Sequence, residues 1–300
     1  MTGFSFPLLF EDPMEFTQLS DEQRQAFERD GYLVVPDALA PDMVERLLAV
    51  VDRRYREGES RDGLNDRGFW QERNCLPSDD IFLELLDWSA TVPLIVQLLG
   101  HNIQLITSHL VVRPPNDGAT GPNGLANGWH RDGGTAPSDL GGALPRLFIK
   151  VGYFLTDLSE AGRGAIRFIP GSNNLTVSPE GIDDGDPENA IELQVEPGSA
   201  VLFENRTYHA VGANVSEMER KSIFFGYGYR WIRPMDYLSM PVELLARCDP
   251  IRRQLLGACK SPMGFQLPGL EDVPLRSWLD EHGETVRSFR DETPGRYSRQ

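Results

Sequence analysis

Apolar positions repeat along this chain with two different periods, and the period changes near residue 103. Before that point they return every three or four residues, the spacing of a helix face. Val44, Leu47, Leu48 and Val51 make one such face, in a helix expected to begin near Pro41, whose fixed φ and missing N–H suit a first helical position. An earlier helix is predicted from Ser20-Asp21-Glu22-Gln23. There the Ser hydroxyl and the Gln side chain can each satisfy a backbone group that a helix start leaves unpaired. That helix should end at Gly31. Tyr32-Leu33-Val34-Val35 then reads as a short strand, and further helical segments are expected over 81–88 and 92–99, the latter ended by Gly100.

Beyond residue 103 the runs become β-branched and aromatic, separated by Gly, Pro and Asn: IQLITSHLVV, RLFIKVGYFL, AIRFI, SAVLF and SIFFGYGYRW. No helical stretch lies between these runs, which disfavours a parallel βαβ winding. The pattern predicts a mainly β fold with a helical jacket, a jelly-roll sandwich or barrel closed by a helical segment near 242–256. The expected organisation is one domain over 1–300: a mostly helical part to residue 100, a jelly-roll core over 101–235, and a helical segment and tail over 236–300. Two long loops, 114–128 and 172–188, are rich in Gly, Pro, Asn and Asp and are candidate lids.

Composition narrows the partners. Lys and Arg number 29 against 45 Asp and Glu, a formal charge of −16 that repels phosphate backbones and acidic lipid surfaces. A small molecule is the expected partner, not nucleic acid or a membrane. Cys75, Cys248 and Cys259 are an odd number without C-x-x-C spacing, against a disulfide framework and a structural zinc site. With an N-terminus that carries acids and only a short apolar run, they predict a cytoplasmic protein with neither export signal nor anchor.

The candidate chemistry sits in Trp129-His130-Arg131-Asp132. In an extended segment residues i and i+2 point the same way, so His130 and Asp132 can address one ion while Arg131 points away. His209, just beyond the SAVLF run, is the expected third ligand. Two neutral imidazoles and one carboxylate on one face of an octahedron leave adjacent positions open, the arrangement non-haem Fe(II) oxygenases use for a 2-oxo acid and dioxygen. A catalytic zinc or manganese ion stays open as an alternative. Arg220 offers a planar guanidinium that can hold a carboxylate by two parallel hydrogen bonds; its bland alternative is a salt bridge to Glu217 or Glu219.

These positions belong to a longer set: Leu19-Ser20, Phe27-Glu28-Arg29-Asp30-Gly31-Tyr32-Leu33-Val34-Val35, Arg113-Pro114-Pro115, Gly164-Ala165, Ile169-Pro170-Gly171-Ser172, Pro197-Gly198 and Arg220-Lys221-Ser222. The set resembles the phytanoyl-CoA dioxygenase family of Fe(II)/2-oxoglutarate-dependent oxygenases. The resemblance implies a double-stranded β-helix core (jelly roll, cupin-like), Fe(II) on His130, Asp132 and His209, and Arg220 on the C5 carboxylate of 2-oxoglutarate. It also implies that Tyr153 and His109 line that cosubstrate, although His109 reads equally well as a buried strand histidine with a backbone partner. The implied reaction consumes O2 and 2-oxoglutarate, releases succinate and carbon dioxide, and oxidises an unactivated C–H bond of a small molecule, with hydroxylation as the default.

Val211 stands where the family often has a hydroxyl residue, and Asn173 where a His is frequent. Asp132 fills the position that related halogenases keep small for chloride, which favours oxygen transfer. Two rivals stay open: a cupin-like zinc or manganese hydrolase or isomerase on the same ligands, and a catalytically silent binding protein. Among other polar residues, His101 and His282 are expected to be structural; Tyr227, Tyr229, Arg230 and Trp231 are expected in the core or rim, with substrate contact by Arg230 or Trp231 as the alternative; and Lys150 can meet either solvent on the outer face of its strand, the commoner case, or a carboxylate inside.

Overall fold

The structure is a computed structural model that describes residues 14–65, 68–115, 127–133, 144–180, 182 and 185–283. It opens with α1 (Asp21–Asp30), whose capping box forms as predicted: Ser20 Oγ accepts from Gln23 N at 3.1 Å and Gln23 Oε1 accepts from Ser20 N at 3.0 Å. Gly31 ends the helix at φ 81, a left-handed conformation that disfavours any side chain. There follow β1 (Tyr32–Val35), α2 (Pro41–Asp62), β2 (Trp70–Arg73), α3 (Ile81–Leu86), α4 (Val92–Leu99) and β3 (Ile103–Arg113). The chain continues through β4 (Asn127–His130), β5 (Phe148–Phe154), β6 (Ile166–Phe168), β7 (Ile191–Glu192), β8 (Ala200–Glu204), β9 (His209–Val211) and β10 (Arg220–Tyr229). Helices α5 (Val242–Ala246), α6 (Pro250–Leu255) and α7 (Pro274–Glu281) close it.

The strands form two antiparallel sheets, ordered β1-β8-β5-β10-β3-β2 and β4-β9-β6-β7, the architecture of a double-stranded β-helix. Four strands and helices are not legible in the hydrophobic pattern: β2, β7, β9 and α7. The part before residue 100 is not only helical, since β1 and β2 are the two edges of the larger sheet. The segment near 242–256 is two helices, because Asp249 caps a fresh start at Pro250 by accepting from Ile251 N at 2.7 Å and Arg252 N at 3.1 Å.

Alternation assigns the two faces of the larger sheet. Ile149, Val151 and Tyr153 of β5, with Ile223, Phe225 and Tyr227 of β10, pack among Leu47, Val51, Leu86 and Ile95 of the helices. Phe154, Phe203 and Phe224 face the opposite way and meet Phe168 of the smaller sheet. Burying each such side chain contributes roughly 1.5–3 kcal/mol. A one-residue slip of β5 would exchange the two sets, so burial pins its register.

The remaining polar residues behave largely as expected. Tyr227 donates to Leu86 O at 2.9 Å, Arg230 donates to Asp272 O at 2.7 Å and Ala258 O at 2.6 Å, and exposed Trp231 stacks on Tyr229. His282 stacks on Phe16 with ring centroids 4.7 Å apart. Among the described residues no helix is long and apolar enough to cross a membrane. Most of the first candidate lid (116–126) and the tail from 284 lie outside the described residues, as do 181, 183 and 184 of the second.

Candidate active site

Strands β4 and β9 are neighbours in the smaller sheet, and their register sets His130 opposite His209, with ring centroids 4.3 Å apart. The extended geometry expected for His130 and Asp132 needs correction. β4 ends at His130, and Asp132 lies in the turn beyond it, which Gly133 permits by adopting φ 106. That turn brings Asp132 Oδ2 to 3.7 Å from His209 Nε2. One ligand atom from each of His130, Asp132 and His209 then lies within 4.8 Å of the others. Arg131 points away as expected: its Nη2 donates to Ser172 O at 2.7 Å and Leu175 O at 2.8 Å.

Both imidazoles are held in the tautomer a metal requires. His130 Nδ1–H donates to Gly128 O at 3.0 Å, and His209 Nδ1–H donates to Thr207 O at 3.0 Å. A carbonyl can only accept, so in the neutral ring the proton sits on Nδ1 and Nε2 is the nitrogen with the lone pair. Thr207 is anchored in turn, its Oγ1 donating to Gly31 O at 2.8 Å, so the residue that stops α1 also fixes the turn carrying His209. Burial pushes the His209 pKa down to about 4 despite the attraction of Asp132, which leaves the ring neutral. For Asp132, burial alone would raise the pKa. The Lys150 ammonium and the His209 ring outweigh it and hold the carboxyl well below the ordinary range.

Arg220 enters the same interior from the start of β10. It is 2% exposed, and its Nε and Nη2 have no hydrogen-bond partner among the described residues. The alternative ion pair is not formed: Glu219 instead pairs with Lys221 at 3.0 Å. The guanidinium lies 5.4 Å from the Phe154 ring and 5.8 Å from the Phe224 ring, and burial beside Arg113 lowers its pKa to about 9. Two positions along the same strand face, Ser222 Oγ is also buried without a partner. Buried polar atoms left unpaired are expensive, and a cation with a hydroxyl beside it is the donor set a carboxylate would satisfy. Aromatic contacts lead from this end to the triad: Phe224 meets Phe203 at 6.5 Å, and Phe203 meets His209 at 4.9 Å.

His109 is on this inner face, stacked on Phe224 at 5.2 Å, and burial with nearby Lys150 holds its pKa well below the usual value. Its ring nitrogen Nδ1 meets a side chain, Thr107 Oγ1 at 3.4 Å. Tyr153 requires a correction. It packs in the helix-facing core, with its hydroxyl 2.6 Å from Thr91 Oγ1, so it does not line the pocket. Gly152 and Phe154 beside it face inward because strand neighbours alternate. The same parity corrects Lys150, which is not on the outer face: its Nζ reaches Asp132 Oδ2 at 2.8 Å.

Residues 27–222 match the family model described as Phytanoyl-CoA dioxygenase (PhyH). The chain belongs to the phytanoyl-CoA dioxygenase family. The peroxisomal phytanoyl-CoA dioxygenase of Mus musculus is 23% identical over 290 residues, covering 87% of this chain and 81% of that protein. Dioxygenase af480 of Aspergillus fumigatus is 29% identical over 143 residues, 47% of this chain and 45% of that relative, so the match spans less than half its length. HygX from Streptomyces hygroscopicus, solved with nickel and 2-oxoglutarate bound, aligns with a TM-score of 0.59 at 16% identity, over 73% of this chain and 90% of that one. That likeness shows a shared fold.

Within the phytanoyl-CoA dioxygenase framework, the two departures now have positions. Asn173 donates to Glu204 Oε1 at 2.8 Å and Glu28 O at 3.1 Å, a tie between α1 and β8. Val211, at the far end of β9 from His209, stands opposite Ile166 and Asn127 and brings no hydroxyl. Ser222 is the residue to which sequence reasoning gave no role, and for Lys150 the less favoured alternative, a carboxylate inside, is the one found. The signal for Ser222 is its i+2 spacing from Arg220, which places both on one strand face.

Proposed function

We propose that this chain is an Fe(II)/2-oxoglutarate-dependent dioxygenase in which His130, Asp132 and His209 hold the iron, Arg220 holds the C5 carboxylate of 2-oxoglutarate, and an unactivated C–H bond of a small molecule is hydroxylated. The observation that carries this reading is the pairing of an assembled His-Asp-His triad with a buried guanidinium on the same interior whose Nε and Nη2 have no hydrogen-bond partner among the described residues. Family membership and the 2-oxoglutarate bound to HygX support it.

In this reading the two histidines present Nε2 lone pairs already oriented by backbone carbonyls, and Asp132 supplies the single anionic ligand. Arg220 fixes the distal end of the cosubstrate by two parallel hydrogen bonds, and Ser222 Oγ supplies the hydroxyl that Val211 lacks. Phe154, Phe203 and Phe224 wall the passage between, exclude water and so strengthen each charge interaction inside. Neutral His109 lines it beside Phe224. Iron and 2-oxoglutarate, when bound, would supply from dioxygen an oxidant able to take hydrogen from carbon, with succinate and carbon dioxide as by-products. The substrate enters as a small molecule, and the described elements act as one domain.

The test is incubation with Fe(II), 2-oxoglutarate and oxygen, with succinate measured for the native chain and for Asp132→Ala. Succinate that requires Fe(II) and disappears in the variant is the expected result. Turnover with zinc or manganese in the absence of oxygen would move the protein to the hydrolase or isomerase class. No succinate under any substrate panel, with 2-oxoglutarate binding also absent, would overturn the proposal.

A further inference from the structure

Lys150 is a charged residue of the interior that the proposed reaction leaves without a task. Its Nζ lies 2.8 Å from Asp132 Oδ2, the same oxygen that stands 3.7 Å from His209 Nε2. The two side chains are 12% and 14% exposed, so solvent screens the pair weakly. The position is built into the strand. Lys150 is aligned with Phe203 on one side and Gly226 on the other, and a Cβ on Gly226 would come within 3.4 Å of Lys150 Cγ. The lysine stem thus lies over a residue that has no side chain. Among the described residues Asp132 is the one carboxylate in ion-pair range of this ammonium; of the other charged and titratable groups felt at the site, His109 and His209 are held neutral by burial, while His130 acts on Asp132 and His209, and Arg73 and Arg220 act on His109.

With His130, Asp132 and His209 read as a metal centre, we propose that the Lys150 ammonium and the metal ion compete for Asp132 Oδ2. Lys150 is then a positioning residue that keeps the ligand carboxylate in place and yields it when metal binds. A buried carboxylate between two imidazoles is costly without a counter-charge. The ammonium meets that cost and preassembles the triad. A divalent ion drawn to the same oxygen must then displace a cation, and part of its binding energy is spent in doing so.

The experiment uses the full chain, stripped of metal by a chelator and titrated with Mn(II) by calorimetry without oxygen. Lys150→Met keeps the length of the stem and removes the charge; Lys150→Arg keeps a charge. Lys150→Met is expected to bind Mn(II) at least tenfold more tightly than the native chain, with Lys150→Arg close to native. Chelated Lys150→Met should also melt at a lower temperature than chelated native protein, and saturating Mn(II) should close the gap. A merely structural role does not produce tighter binding. Equal or weaker binding by folded Lys150→Met overturns the competition while leaving the metal centre standing, provided the native chain binds. Failure of both proteins to bind Mn(II) overturns the competition and the metal centre together.

Discussion

Replacing Arg220 by Met separates what the residue does for binding from what it does to the fold. Its guanidinium is 2% exposed, and burial beside Arg113 carries its pKa down to about 9. At about 1.4 kcal/mol per unit, keeping that charge inside costs on the order of 4–5 kcal/mol before any relaxation. Apolar replacement of buried ion pairs is neutral or stabilising by about 1–4 kcal/mol, and a guanidinium without a carboxylate partner has no pairing attraction to lose. At roughly 2–4 °C per kcal/mol for chains of this size, chelated Arg220→Met should melt several degrees above the native protein. Affinity should move the other way. Losing a buried, charge-assisted contact costs about 2–5 kcal/mol, or roughly 30-fold to several-thousand-fold in the dissociation constant for 2-oxoglutarate. Differential scanning fluorimetry gives the first quantity, and titration of Mn(II)-loaded protein with 2-oxoglutarate gives the second. A variant that melts lower and binds 2-oxoglutarate as well as the native chain would refute the reasoning on both counts.

Two further outcomes check separate parts of the structure. Tyr153→Phe removes the hydroxyl bonded to Thr91 Oγ1 at 2.6 Å, so it should cost about 1 kcal/mol of stability and leave 2-oxoglutarate affinity unchanged; a tenfold weaker affinity would put Tyr153 back in the pocket. His101, His109 and His209 are all kept neutral by burial, with His101 and His209 at about 4 and His109 well below its usual value. From about pH 6.5 down to 4 the unfolded chain therefore binds protons that the folded chain refuses, and stability falls as pH falls. Asp87, raised by burial to about 6, opposes this with a single group, so the net direction stands. The urea midpoint of chelated protein should be lower at pH 5 than at pH 7, and an equal or higher midpoint at pH 5 contradicts the account.

What can be read from residue order divides by the range of the interaction that decides it. The capping box at Ser20, the stop at Gly31 and the strand runs are local, so residue type alone announces them. The ligand residues are legible because His-x-Asp and a later His are chemically distinctive in context, yet the turn at Asp132 is not, since Gly133 can also sit in an extended chain. Facing is the weakest point. Tyr153 and Lys150 are an odd number of residues apart and must face opposite ways, but which way depends on pairing with β8 and β10, partners dozens of residues distant. The family resemblance puts Tyr153 beside the cosubstrate, and the rarity of buried lysine favours the outside for Lys150; long-range register reverses both. β7, with two residues, is too short to show any period.

Among the described residues, the smaller sheet holds β4 at its edge by few bonds: the register pairs only Asn127 with Val211 and His130 with His209, with an irregularity between them. Two of the three proposed ligands come from this strand and the turn beyond it, while the third comes from its neighbour. An ion seated among them would therefore act as a rivet through the rim of the barrel, fastening a strand that backbone pairing alone secures weakly. Slow amide exchange at the outermost strand should then appear with metal and fade when it is withdrawn.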